Sequence, residues 1–457
     1  MPALAPHPDR LLPTDPAVRS IARRLYERVA ALPIVSPHGH VDPRMLRDDN
    51  PFPDPAALFI KPDHYVTRLL HAGGVPLSAL LGDADPRAVW RLFCANWHLL
   101  AGTPVRYWFE SELSSIFEIT ERPSGGNADA LYDQIDTLLR APSHRPRALL
   151  SRFGIDFLAT TDDPADDLAA HAALRDLPTR VAPTFRPDRY LELGHPAWPS
   201  FVKELGGDVG SYPGYLEALA ARRRHFVAQG AVSADHGHVD AGAEPLSTEE
   251  ATRIYRAALS ATVTPPEATA FRRHMIFEMA RMSCDDGLVM TLHPGVFRNH
   301  HTETFQAYGP DTGHDIPVPV EFTRSLRPIL DRFGTHPGFH LVLFTVDPDV
   351  FSREIAPLAG FYPAVYAGAP WWYLDNPAEI RRFQQAVTET AGFSKLSGFI
   401  DDTRAFCSIP ARHDMSRRLD AGHLAELVAA HRLDLDEAET LAVDLVVHQP
   451  RRVFKIA

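Results

Sequence analysis

The sequence predicts an α/β fold whose core is a (β/α)8 TIM barrel with a helical insertion after strand 1. Three observations lead there. Short apolar runs recur at eight places along the 457 residues. Helical patterns separate most of them, the alternation that builds parallel strands in βα units. Each run ends in polar, reactive side chains, and a barrel gathers its active site at the C-terminal ends of its strands. One barrel takes about 250 residues and can pass about 400 when it carries insertions.

The first helix is marked by Asp15-Pro16, a cap residue followed by Pro at the first helical position, with apolar residues recurring through Val18, Ile21, Leu25, Val29 and Leu32. The run Pro33-Ile34-Val35 leads into His38-Gly39-His40, so residues 1–41 read as an N-terminal helix and barrel strand 1. Residues 42–150 carry helical signals from Asp85-Pro86 onward and over Asn127–Leu139, and read as the insertion. Residues 151–404 supply the other runs: Asp156–Ala159, Arg180–Ala182, Ala231–Ser233, Leu288–Leu292, His340–Phe344, Ala364–Tyr366 and Lys395–Phe399. Helices are expected between them over Asp166–Leu177, Tyr215–Gln229, Ala268–Met282, Val320–Phe333 and Pro377–Ala391. Residues 405–457 are again helical and are expected to pack on the barrel.

Composition narrows the function classes. Hydrophobic residues at 45% and charged residues at 23% describe a globular chain with a sizeable core. A net charge of −12 argues against a nucleic-acid or membrane-surface partner, which needs a basic face. Three widely spaced cysteines, Cys94, Cys284 and Cys407, form no disulfide framework and suit a reducing compartment. The N-terminus has no charged-then-apolar leader pattern, and no run reaches the roughly 18 apolar residues of a membrane span. A cytoplasmic location is expected.

His38-Gly39-His40 is the strongest local feature. Residues i and i+2 of a strand share a side, so two imidazoles can grip one cation there. Two surface histidines in a loop is the competing reading. Asp402 ends the eighth run, beside the first strand in a closed barrel, and could complete a His-His-Asp set. Its alternative is to cap the helix that follows. Asp235-His236-Gly237-His238 looks like a second such motif, but Asp235 reads as a polar wall residue and neither histidine as a ligand. Arg186, Arg298 and Arg404 lie at strand ends and point to an anion site, since guanidinium pairs bidentately with carboxylate. His293 ends a well-formed apolar run. His64 and Tyr65 have no special status from spacing and could simply open a helix. Of Trp371 and Trp372, on opposite faces of an extended chain, one is expected in the core and the other in a pocket wall. No Gly-rich phosphate loop or serine-nucleophile elbow occurs.

Together these residues resemble the uronate (glucuronate) isomerase family, a divergent branch of the amidohydrolase superfamily. The likeness covers nearly the whole chain: Pro37-His38-Gly39-His40, Asp63-His64-Tyr65, Thr160–Pro164, Arg186-Pro187-Asp188, Ser233–His236, His293–Asn299, Trp371-Trp372, Asp402-Thr403-Arg404 and Arg412-His413. Much of the family has HCH where this chain has His38-Gly39-His40, and T-D-S-R where it has Asp401–Arg404. The resemblance implies a barrel of the amidohydrolase type and interconversion of D-glucuronate with D-fructuronate, or D-galacturonate with D-tagaturonate. It also implies a divalent metal, zinc in the form usually described, and homo-oligomers. His38, His40 and Asp402 match its metal set. His64, Tyr65, Arg186, Asp235, His293, Arg298 and Arg404 match its pocket residues, with Trp371 and Trp372 beside them.

The chemistry fits those residue types. Aldose–ketose isomerisation removes a C–H proton beside a carbonyl, which needs a base within hydrogen-bond reach and positive charge near the developing oxyanion. Tyr65 or Asp402 is the candidate base. His64, His293 and Arg404 would shuttle protons or stabilise an enediol, and Arg186 or Arg298 would hold the carboxylate. A metal-dependent hydrolase of the same superfamily and a non-catalytic carbohydrate-binding barrel are the alternatives.

Overall fold

A computed structural model describes residues 3–457. Nine strands are assigned among them: β1 (Ile34–Ser36), β2 (Ile155–Ala159), β3 (Arg180–Ala182), β4 (Ser233–His236), β5 (Val289–Leu292), β6 (Val296–Phe297), β7 (Ile316–Pro317), β8 (Leu341–Leu343) and β9 (Val365–Ala367). Seven of them pair in parallel, in the orders β1-β2-β3 and β4-β5-β8-β9. They are short and almost wholly buried, as parallel strands covered on both faces must be.

Irregular backbone joins the two groups into a ring. Phe185, just beyond β3, pairs with Ala234 of β4, and Asp235 N donates to Phe185 O at 2.9 Å. On the other side Ala367 of β9 pairs with Leu396. Closure comes where His40 N donates to Thr403 O at 3.1 Å. The eight positions round this ring follow the eight apolar runs, which makes the fold a (β/α)8 barrel.

Three local expectations are corrected. The eighth run, Lys395–Phe399, is not a strand: only Leu396 pairs, and Gly398 turns the chain at φ 77°, where a Cβ would strike the Pro450 ring at 2.7 Å. The expected helix 166–177 shrinks to Ala169–Ala173, because the left-handed Leu168 (φ 56°) stops it extending backward. The expected helix 320–333 shrinks to Arg327–Phe333; Pro328 sits in its first turn, where its missing N–H costs nothing. The fourth strand also runs two residues later than its apolar run, carrying Asp235 and His236 into the sheet.

The cap signals near the N-terminus hold. Asp15 accepts from Ala17 N and Val18 N and starts the helix Pro16–Val29. Asp85 accepts from Ala88 N and starts Pro86–Ala95. Between β1 and β2 the regular elements from Pro43 to Arg152 are all helical. The tail forms Ile409–Ala429, Leu435–Val443 and Gln449–Val453. Its first helix is buried along most of its length, so charged residues on it, such as Arg412 and His413, face inward. No helix among the described residues is long and apolar enough to cross a membrane.

Candidate active site

The strand C-termini open into one cleft of about 300 Å³. His38 and His40 leave β1 on the same side. Both Nε2 atoms face a single carboxylate oxygen, Asp402 Oδ1, at 3.4 and 3.0 Å. Asp402 reaches it from a left-handed backbone (φ 44°), a conformation Asp tolerates better than most residues. It caps no helix: Thr403 Oγ1 instead accepts from Ala405 N. The three ligand atoms lie within 4.8 Å of one another. Asp402 Oδ1 is buried and has no hydrogen-bond donor, and Thr161 Oγ1 pins the loop at Gly39 O at 2.9 Å. A buried carboxylate oxygen without a donor, faced by two imidazoles, is what a divalent cation would satisfy. Burial lowers the His40 imidazole to about 4, against the pull of Asp402. A neutral imidazole is the form that binds metal.

Opposite stands a His-Asp-Arg group. His293 Nε2 bonds Asp235 Oδ2 at 2.8 Å, and Thr291 Oγ1 donates to Asp235 Oδ1 at 2.6 Å. Arg186 Nη1 lies 3.5 Å from Asp235, while its Nε donates to Asp188 Oδ2 at 3.0 Å. Despite complete burial, which raises a carboxyl, His293, His38 and Arg186 hold Asp235 well below the ordinary range. Gly237 explains the gap in Asp235-His236-Gly237-His238: a Cβ there would meet His293 Cε1 at 2.2 Å and Arg186 Nη2 at 2.8 Å. His236 bonds Thr291 O and His238 bonds Glu192, and neither joins the His38–His40–Asp402 group.

Asp63 accepts from Tyr65 N at 2.9 Å, so His64 and Tyr65 do open a capped helix, His64–Ala72. The same start places both side chains in the cleft wall. Their rings stack at 4.7 Å. Burial, with Arg404 adding to it, lowers His64 to about 3, so its imidazole is neutral at pH 7. The division expected for the tryptophans is overturned: both Trp371 and Trp372 line the cleft. Trp371 is extended but Trp372 is left-handed (φ 53°), which swings the second ring to the same side. Trp371 lies 4.7 Å from the His293 ring, and Arg298 sits 4.7 Å over Trp372.

The arginines bring their own acids. Arg298 Nη1 donates to Asp315 Oδ2 at 2.9 Å and Arg404 Nη2 to Asp311 Oδ2 at 3.0 Å. Both aspartates lie on the loop between β6 and β7, an antiparallel hairpin that no periodicity foretold. Three arginines and five aspartates line the cleft, so the arginines that the sequence offered as an anion site share it with an excess of acids. Sequence reasoning also gave no weight to Asn299, Asp375 and Arg412. Asn299 is a left-handed residue (φ 55°) in the cleft wall whose buried Oδ1 has no partner. Asp375 entered no reading of the sequence, and Arg412 entered only through the family pattern, as Arg412-His413.

A family model described as glucuronate isomerase matches residues 17–454. The chain is 51% identical to the uronate isomerase of Corynebacterium efficiens over 464 aligned positions, covering 99% of each chain. It is 50% identical to the uronate isomerase of Cutibacterium acnes, again over 99% of each. The crystal structure of glucuronate isomerase from Caulobacter crescentus superposes with a TM-score of 0.97 at 45% identity, over 100% of this chain and 98% of that one. That of uronate isomerase from Thermotoga maritima superposes with a TM-score of 0.93 at 27% identity, over 98% and 99%.

Proposed function

The chain belongs to the glucuronate isomerase family, and from that membership we propose how its cleft interconverts an aldose uronate and its ketose. The enzyme is an isomerase acting on uronates on a barrel of the amidohydrolase type, and the hydrolase alternative is not favoured. The observation that carries the reading of the site is the convergence of His38, His40 and Asp402 on one donorless buried oxygen. That donor set, two imidazoles and a carboxylate with open positions, is one zinc accepts, and we assign zinc. His38, His40 and Asp402 would hold such a cation, which would supply positive charge to polarise a substrate oxygen. It also offsets the excess of aspartates in a cleft that must admit an anion.

The chain's own groups do the rest. Asp402 takes the proton from carbon, or Tyr65 does so as its own hydroxyl proton leaves through the hydrogen bond to Asp375. His293 bonds Asp235 through Nε2, while its buried Nδ1 is free to exchange a proton with a substrate hydroxyl. Neutral His64 serves the same kind of transfer on the other wall, beside Arg404. Arg186 is held between Asp188 and the fully buried Asp235, whereas Arg298, although it faces Asp315 and Asp311, is the more exposed of the two, so we assign the substrate carboxylate to Arg298. Trp371 and Trp372 exclude water from the reacting carbons.

Incubating the purified protein with glucuronate or galacturonate, followed by NMR, is expected to show the matching ketose. A chelator is expected to lower the rate at least tenfold, and added zinc to restore it. Turnover that chelation leaves untouched would sink the metal reading. In D2O, the aldose recovered at equilibrium is expected to carry deuterium at C2. Recovery of wholly protonated C2 would replace proton transfer by a direct hydride shift.

A further inference from the structure

Behind the cleft wall, Tyr65 is tied through Asp375 into a buried polar chain whose other members this scheme does not place. Tyr65 Oη donates to Asp375 Oδ2 at 3.1 Å. Arg412 Nη1 donates to the same oxygen at 2.7 Å and to the Asp401 carbonyl at 3.3 Å, while Arg412 Nε reaches Ser408 Oγ at 3.1 Å. The guanidinium lies 3.6 Å over the Trp108 ring and 5.0 Å over the Tyr65 ring. Tyr65, Asp375 and Arg412 are 5%, 3% and 1% exposed. They come from three distant places: the helix after β1, the turn after Trp372, and the first tail helix.

A buried ion pair is a weak stability device, because desolvation cancels most of its attraction and apolar packing does as well. This pair does something apolar packing could not: it fixes the rotation of one hydroxyl. A phenol carries a single proton. With that proton held by Asp375, the remaining lone pairs of Tyr65 Oη are turned away from Asp375, toward the cleft that Tyr65 lines. Arg412 prevents Asp375 from rotating away. We propose that Asp375, held by Arg412, is the positioning residue for Tyr65 and sets the direction in which its hydroxyl meets the substrate. Burial pushes the Asp375 carboxyl up while Arg412 and the Tyr65 hydroxyl pull it back, so this charged acceptor is costly to keep there without a task. The proposal rests on the reading of Tyr65 as an acid–base group.

A double-mutant cycle tests it. Asp375→Leu, which keeps the bulk and removes the acceptor, is expected to lower kcat about tenfold with KM within twofold, because the substrate does not touch residue 375. Tyr65→Phe is expected to lower kcat by about 10²-fold or more, the usual worth of acid–base help. Added to Tyr65→Phe, Asp375→Leu is expected to cost less than a further twofold, since no hydroxyl remains to be turned. Additive losses, or an unchanged kcat in Asp375→Leu, overturn the positioning role while leaving Tyr65 in place. An unchanged kcat in Tyr65→Phe overturns the reading of Tyr65 and the positioning role with it. Should Asp375→Leu fail to fold because Arg412 is left unpaired, Asp375→Leu with Arg412→Met removes both charges of the pair, and the same cycle is run on it.

Discussion

Asp402→Asn is expected to lose the bound metal and about three orders of magnitude in kcat. Asn tolerates the left-handed backbone that residue 402 adopts, so the turn survives the change. What disappears is the negative charge that both imidazoles face at 3.4 and 3.0 Å. The positive charge placed beside a reacting oxygen is worth several kcal/mol, and each 1.4 kcal/mol or so is tenfold in rate. Metal content per chain, by atomic emission, is expected to fall below one tenth of wild type with an unaltered circular dichroism spectrum. A variant that keeps one metal per chain and full activity removes Asp402 from the site.

Much of this cleft was legible because its parts are local. Two histidines one residue apart declare a shared side of a strand, and an aspartate ending the last run declares itself their neighbour once the barrel closes. Cap signals such as Asp15-Pro16 and Asp85-Pro86 are equally local and hold. What escaped depends on contacts far apart in sequence. Arg412 and Asp375 meet Tyr65 across more than 300 residues, and no spacing encodes that. The eighth strand failed for a similar reason. Gly398 turns to admit Pro450 from the tail, so an apolar run was read where packing demands a bend. Trp372 shows the limit from the other direction. Alternation assigns it the face opposite Trp371, and a single left-handed residue reverses that. Four of the left-handed non-glycine residues, Asn299, Asp311, Trp372 and Asp402, border this one cleft. Such conformations persist where the surroundings dictate them, which is common at functional sites.

Arg298→Met is expected to raise KM for glucuronate about 30- to 100-fold while kcat changes much less. Truncating one partner of a hydrogen-bonded charge pair costs about 2–5 kcal/mol. Arg298 is 37% exposed, so solvent screening puts it at the lower end, near 2 kcal/mol. The unreacting end of the substrate then binds less well in ground state and transition state alike, which is a KM effect. Two features sharpen the choice of Arg298. Methionine preserves a flexible apolar arm over Trp372, so the indole keeps a partner when the 4.7 Å cation contact is lost. Asp315, released from its 2.9 Å bond, then presents an unpaired charge to an anionic substrate and adds repulsion. The converse follows: Asp315→Asn leaves Arg298 with one acid fewer and is expected to lower KM rather than raise it. Arg186→Met offers the contrast. That arginine neutralises Asp188 and Asp235 together, and its loss is expected to appear first as a lower melting temperature. Michaelis constants for the three variants, with thermal melts beside them, separate a group that holds the substrate from one that holds the wall. An unchanged KM in Arg298→Met would return the carboxylate to Arg186 or Arg404.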